Sequence, residues 1–529
     1  MKAGGKHIYY LVTCLTVLLI IPSLLTAQQG GTNKPAKPKK KVNLIHTDEL
    51  LYERALVDAQ RLIGHVHLEY EGTQFYCDSA YLYANDDFDA FSNIRIIDNS
   101  GYQATGDFLH FDKTNQIATM RDHITMRDRE MALTTDNLIY NVETEIANYF
   151  GGGRITSAVN KNTLTSRKGS YHSKTEMFYF RDDVVLKNPD YTVECDTMQY
   201  NDLSEVTLFF GPTTITGDET SIYCENGYYN TKKDQSRFGK NAVITSETTT
   251  LKGDSMYYDG NIGIGEVFRN VEIRDTTDNY IISGQYGKHF EKSETSFVTG
   301  RALLTQIFDE DSLFMHADTL RSVSDTSGKD IVYAYHKVKL FKNDLQGKCD
   351  SLVYSSVDST LRMYYDPILW SEQNQVTGDT VSLQLQNGKL NRLFVVGNAF
   401  IISDAEAKGD SITGTGKYNQ IKGRKLTGYF VNNELSEVYV EGNGQLIYFP
   451  TEEEKKKPVA MGLNKGECSN IHIKVKDNEL TKIRMETETN SVFTPMSMSD
   501  SNQFKLEKFS WRIDERPIRV EDIFRSDMK

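Results

Sequence analysis

A short pattern of residues returns along this chain every 27 to 33 residues. A chain so periodic builds one body from many small units, not the three or four separate domains that 529 residues would otherwise suggest. The pattern is a small residue, then usually a carboxylate, then an apolar residue two further on and often an aromatic four further on. Gly106-Asp107-Phe108-Leu109-His110-Phe111, Thr135-Asp136-Asn137-Leu138-Ile139-Tyr140, Cys195-Asp196-Thr197-Met198-Gln199-Tyr200, Gly253-Asp254-Ser255-Met256-Tyr257-Tyr258 and Cys349-Asp350-Ser351-Leu352-Val353-Tyr354 all carry it. With the carboxylate position as anchor, the copies fall at Asp78, Asp107, Asp136, Gly169, Asp196, Glu225, Asp254, Gln285, Asp318, Asp350, Asp379 and Asp410, about twelve units over residues 60–445.

A second element follows each anchor, in which a polar residue leads an alternating apolar pair. Asp122-His123-Ile124-Thr125-Met126, Asn241-Ala242-Val243-Ile244, Asn270-Val271-Glu272-Ile273 and Asn398-Ala399-Phe400-Ile401 are examples. Alternation at period two among β-branched and aromatic residues, punctuated by Gly, Asn and Asp, means strands and turns; helical periodicity is nearly absent. Residues two apart in a strand share a face. Leu109 with Phe111, Leu138 with Tyr140, Met198 with Tyr200, Met256 with Tyr258, Val271 with Ile273, Leu352 with Tyr354 and Ala399 with Ile401 therefore give each unit one apolar face. One unit has nothing to pack that face against; stacked units pair every edge and share an apolar interior.

Four cysteines, Cys77, Cys195, Cys224 and Cys349, occupy the small slot before the anchor, and Cys468 sits in a degenerate copy of it. They read as small, buried strand-start residues, with only Cys195 and Cys224 placed to be neighbours and a bridge between them open. The anchor carboxylate reads as a strand-start residue accepting backbone N–H bonds.

Residues 1–27 have Lys2 and Lys6, an apolar run from Ile8 to Leu25, and then Thr26-Ala27. This is the pattern of a secretory signal peptide, with an uncleaved anchor as the alternative, and it implies export. Residues 28–59 are a basic linker and lead-in. Net charge is −13 and the basic residues are concentrated at the front, so the repeat region is more acidic still and nucleic acid is excluded as a partner. The charged run Glu452 to Lys457 and the ending around Trp511-Arg512-Ile513-Asp514-Glu515-Arg516-Pro517 make residues 446–529 a degenerate repeat followed by a cap or docking tail.

Catalysis needs a group once, whereas a structural residue is needed in each unit, and no constellation breaks the repeat. His65 and His67 would share a strand face but lack a third ligand at metal spacing. Asp86-Asp87 and Asp182-Asp183 are adjacent residues that cannot converge as a carboxylate pair on one strand face, and Gly151-Gly152-Gly153-Arg154 lacks the context of a phosphate loop. Neither a catalytic residue nor a metal nor a cofactor is expected.

Set side by side, Leu251-Lys252-Gly253-Asp254-Ser255-Met256-Tyr257-Tyr258 and Val396-Gly397-Asn398-Ala399-Phe400-Ile401 make the chain resemble the OstA-like, or LptA-like, family of periplasmic lipopolysaccharide-transport proteins. The resemblance implies a β-jellyroll folded like a taco shell, with lipid A acyl chains held in an apolar groove between two sheets. It further implies LptC-like inner-membrane and LptD-like outer-membrane partners, end-to-end self-association, and a periplasmic location associated with either membrane. The groove candidates are then the seven residue pairs named above. The chain has about twice the units of a short LptA-like protein and no C-terminal membrane barrel of the LptD-like kind, which suits a bridge or accessory component. The residues alone leave two alternatives: a β-helix or solenoid with a filled core whose outer face binds protein or glycan, and a polysaccharide-cleaving enzyme on a β-helix.

Overall fold

The computed structural model describes residues 41–525 apart from short stretches, the longest being 406–415. The leader, most of the basic linker and Asp410 lie outside the described residues. The described chain is a succession of antiparallel strands without an α-helix, closed by short 3₁₀ turns between Met496 and Phe524. It divides into two compact units, one of residues up to 247 with 252–265, the other of 248–251 with 266 onwards. Within each, successive strands pair with their chain neighbours, as Thr73–Tyr83 does with Phe88–Ile97 and that strand with Gln103–Asp112.

The repeat is not a short strand, a turn and a second short strand. It is two strands of typically ten to sixteen residues, each bent near its middle. In nearly every second strand two consecutive residues take positive φ at the bend: Ser92 and Asn93, Asp122 and His123, Asp182 and Asp183, Lys240 and Asn241, His336 and Lys337, or a glycine and its successor as in Gly64-His65 and Gly397-Asn398; in Val206–Gly217 Gly211 does so alone, before Pro212. The pairing slips there by one residue; Tyr76 faces Arg95 and Ser79 faces Phe91, so three residues bulge against two. Such a bulge turns the strand. Its two halves then run in two sheet halves that share one interior.

The bend explains the sequence pattern. In the anchor strand the small residue before the anchor and the apolar residue two after it are both buried, as with Cys77 and Ala80. A straight strand would send residues three apart to opposite faces. The anchor is accordingly a mid-strand corner residue on the outside of the bend, and the cysteines fill a mid-strand slot; the strand-start reading of both is corrected. Cys195 and Cys224 both face Thr213, one strand between them. Two strand spacings, about 9.6 Å, exceed the reach of a disulfide, and both thiols are free.

Side chains two after the anchors form an unbroken cross-strand ladder. In the first unit it runs Leu109, Met120, Leu138, Tyr149, Gly169, Phe180, Met198, Phe209, Gly227, Phe238. In the second it runs Gly287, Val298, Leu320, Ala334, Leu352, Met363, Val381, Val395, Leu426, Val440, Ile471. Gly169 is thus two positions past its anchor, which is Arg167. In the same way Leu426 assigns the last anchor to Arg424, in place of Asp410. Gly169 has to be glycine because a Cβ there would lie 2.2 Å from Cε1 of Tyr149, whose other edge covers Gly153. Large rings fill the space that glycines leave.

The end of the chain returns over the outer face of the second unit. Gln375 Nε2 donates to the Ser510 carbonyl (2.7 Å) and its Oε1 accepts from Arg512 N (2.7 Å). Gln420 does the same with the Phe504 carbonyl (2.6 Å) and Leu506 N (2.8 Å). These two buried side-chain amides act towards the returning segment as a strand backbone would, and Leu506, Phe504, Phe509 and Trp511 cover the outward-facing Phe400, Ile402 and Tyr418.

Candidate functional site

Two places in each repeat hold recurring chemistry, the corner and the interior. At the corner the anchor carboxylate bonds the bulge of the next strand. Asn93 Nδ2 donates to Asp78 Oδ2 (2.6 Å), His123 Nδ1 to Asp107 Oδ2 (2.7 Å), Asn241 Nδ2 to Glu225 Oε1 (2.9 Å) and Asn398 Nδ2 to Asp379 Oδ1 (3.0 Å). His65 is the bulge partner of Asp48, while His67 bonds Gln74 and stacks on Tyr76, so the two engage different partners. Asp182 and Asp183 are a corner too, paired with Lys168 and Arg167. Asp86 and Asp87 lie in a turn and bind Lys113 through its ammonium and its backbone N–H, and Gly151-Gly152 is a further corner, each with positive φ. These are structural roles.

The interior is mainly apolar, with a few buried hydroxyls such as Thr207 and Ser236. Of the fourteen groove candidates, Leu109, Phe111, Leu138, Met198, Tyr200, Met256 and Tyr258 are buried within the first unit, and Val271, Leu352 and Ala399 within the second. Tyr140, Ile273, Tyr354 and Ile401 are half-buried. Leu109, Leu138 and Met198 share the first ladder; Leu352 sits in the second, against which Ile273 and Ile401 pack. Full burial of ten candidates means that they touch protein first.

Accessibility varies along the first unit. From the strand Met177–Lys187 to the strand Gln235–Ser246 both inner faces are closed: Phe178, Tyr200, Thr207, Tyr229 and Ser236 in one half, Leu186, Val193, Ile215 and Ile222 in the other. Between Ile117 and His172 the first of these rows is half-exposed, and the second is half-exposed as far as Ile155, beyond which its next member, Leu164, is buried. Ala118, Tyr140, Ala147 and Tyr171 form the row on one side, and Met126, Leu133 and Ile155 on the other. Alanines 118 and 147 stand where Thr207 and Ser236 stand in the closed stretch, opposite aromatic rings. Tyr140 has its phenol pKa raised by burial and then by Glu145, so it stays a neutral hydroxyl at the edge of an apolar surface. Sequence reasoning found Tyr140 but missed Met126, Leu133, Ile155 and Tyr171. The signal available was the pair of alanines in a row otherwise alternating with rings. Covering apolar surface of this kind is favourable by about 25 cal/mol per Å².

Residues 39–196 match the family model of the OstA-like proteins. This part of the chain is similar to that family. The OstA-like segment includes the whole half-exposed stretch. No curated protein matches the chain. Among solved structures, the crystal structure of LptH, described as the LptA-homologous periplasmic component of the lipopolysaccharide transport device of Pseudomonas aeruginosa, aligns with 20% of this chain and 82% of its own. The identity is 18% and the TM-score 0.19.

Proposed function

We propose that this OstA-like chain is a periplasmic lipid carrier, a bridge that holds the acyl chains of lipopolysaccharide during transport to the outer membrane. The observation that carries the reading is the half-exposed apolar stretch between Ala118 and Tyr171, open where the neighbouring stretch from Phe178 to Ser236 is closed, and inside the OstA-like segment. Acyl chains entering there meet Met126, Leu133 and Ile155 on one side and the two tyrosines on the other. The buried candidates of the same unit, such as Leu109 and Leu138, are the packing behind the groove. On this reading residues 1–27 export the chain, LptC-like and LptD-like components hold its two ends, and the segment after 446 caps the array. The chain is a carrier and performs no catalysis. Native mass spectrometry of the protein gently purified from its envelope tests this: a bound mass equal to a lipopolysaccharide supports it, and lipid-free protein in every preparation rejects it.

A second reading is favoured by the closed stretch from Phe178 to Ser236, where the protein's own side chains fill the interior. A filled array would be an envelope scaffold that binds protein or glycan on its outside. The two readings differ in whether lipid reaches the inner face at all.

A further inference from the structure

The first unit carries a hollow lined mainly by outward-facing side chains, with the corner residue Lys168 and the edge of the Tyr149–Gly169 contact at its margin. Its volume is ≈ 530 Å³, within the usual range for small-ligand pockets. Two cross-strand rows form it on the four strands between Ile146 and Asn201. One places Phe150, Lys168, Arg181 and Thr197 side by side; the other places Asn148, Ser170, Tyr179 and Gln199. A sheet face built from such rows is normally flat and solvated, but here it is concave and has two ring surfaces. Phe150 is 42% exposed, and Tyr179 lies 4.9 Å from His172, whose Nε2 is 3.1 Å from Ser170 Oγ.

The polar groups around these rings are unevenly satisfied. Lys168 is held by Asp182 at 2.8 Å. Arg181, Asn148 and Gln199 have no hydrogen-bond or ion-pair partner among the described residues. A guanidinium and two amides with unused donors and acceptors, set beside exposed aromatic faces, match one ligand chemistry well. Sugar rings stack their C–H faces on aromatic side chains, amides pair with vicinal hydroxyls, and an unpaired arginine takes a phosphate or carboxylate in two parallel bonds. A hydrocarbon chain would leave these polar groups unpaired, and a nucleic acid would meet a chain of net charge −13.

We propose that this hollow is a binding site for an acidic saccharide, with Tyr179 and Phe150 as stacking platforms and Arg181 as the anion contact. Two of its four strands, Ile146–Ser157 and Thr163–His172, have the half-exposed inner face on their reverse, and the other two begin the closed stretch. Tyr171 faces inward, and the next residue, His172, lines the hollow, so the strand end is the short path between the two surfaces. The saccharide site does not depend on acyl carriage: it is complete on the outer face.

The test uses the full mature chain and, as probe, the phosphorylated oligosaccharide released from lipopolysaccharide by mild acid, which carries no acyl chain. Titration calorimetry should show saturable binding that falls at least tenfold in Tyr179→Ala and in Arg181→Gln. Enzymatic removal of the phosphates should weaken binding to the unaltered chain at least tenfold, and Arg181→Gln should abolish that difference. Unchanged melting temperatures would show that the variants fold. Absence of saturable binding at millimolar probe, or affinity indifferent to both substitutions, overturns the proposal. Neither result bears on acyl carriage, which the probe does not engage.

Discussion

Arg167 Nε lies 2.5 Å from Asp183 Oδ2, the same corner contact that Asp107 makes with His123 but with the charges exchanged. In most repeats the anchor is acidic and the bulge supplies the donor. Here the anchor is the donor and the bulge carries the acid. Preserving the pair while inverting its polarity indicates that the contact itself, not a row of carboxylates, is what the repeat needs. Arg167→Asp should therefore lower the melting temperature by opposing Asp183, and Arg167→Asp with Asp183→Asn should recover it. The side chains are more than two thirds exposed, so the coupling should be below about 1 kcal/mol. Thermal denaturation of the two variants and the unaltered chain checks this.

The corner at His123 gives a pH dependence. Its hydrogen bond to Asp107, followed by the charge of that carboxylate, holds the imidazole pKa above its ordinary value. A group whose folded pKa is raised contributes stability in full below the unfolded value, about 6.5, and loses that contribution as pH rises through the folded one. Asp107→Asn should thus reduce the melting temperature more at pH 5.5 than at pH 9. The His123 pKa, followed by NMR, should fall in the variant.

Much of this was legible in the sequence. The ladder positions follow from the recurrence of Leu109, Leu138, Met198 and Leu352 two past their anchors, because burial leaves a chemical trace in every copy. The corner was not legible. Two left-handed residues appear in a sequence only as a polar dipeptide such as Ser92-Asn93, and Asn or Asp there looks like an ordinary turn. The misplaced anchor at Gly169 has the same cause: Arg167 breaks the acidic pattern, and only the side-chain parity seen in the ladder restores the register. Asp410 lies outside the described residues, and the ladder resumes at Leu426, which puts the next corner at Arg424. Openness of the interior depends on the spacing between sheet halves, which no single residue type encodes; Ala118 and Ala147 were its faint trace.

Gly169 offers a test of the ring-over-glycine packing. An alanine Cβ would meet the Tyr149 ring at 2.2 Å, and the ring is held on its far side by Gly153 and through its hydroxyl by Ser166 Oγ at 2.5 Å. Gly169→Ala should destabilise by about 1–3 kcal/mol, the usual range for overpacking. In Gly169→Ala with Tyr149→Leu the two effects should be less than additive, as chemical denaturation would show.

The corner cysteines should be chemically silent. Burial pushes the thiols of Cys77, Cys195, Cys224 and Cys349 up to about 12. At pH 8 the thiolate fraction is then negligible. Iodoacetamide should leave these four unmodified in the native chain and label them all in denaturant, as counted by mass spectrometry.

The central claim is that lipid reaches the interior between Ala118 and Tyr171. Photo-crosslinking residues placed one at a time at Leu133, Tyr140 and Tyr171, then irradiated in cells, address it most directly, with outward-facing Thr119 and closed-stretch Thr207 as comparisons. The account predicts lipopolysaccharide adducts at the three inner positions and none at the other two. Adducts at Thr119 as frequent as at Tyr140, or none at any inner position, would contradict it.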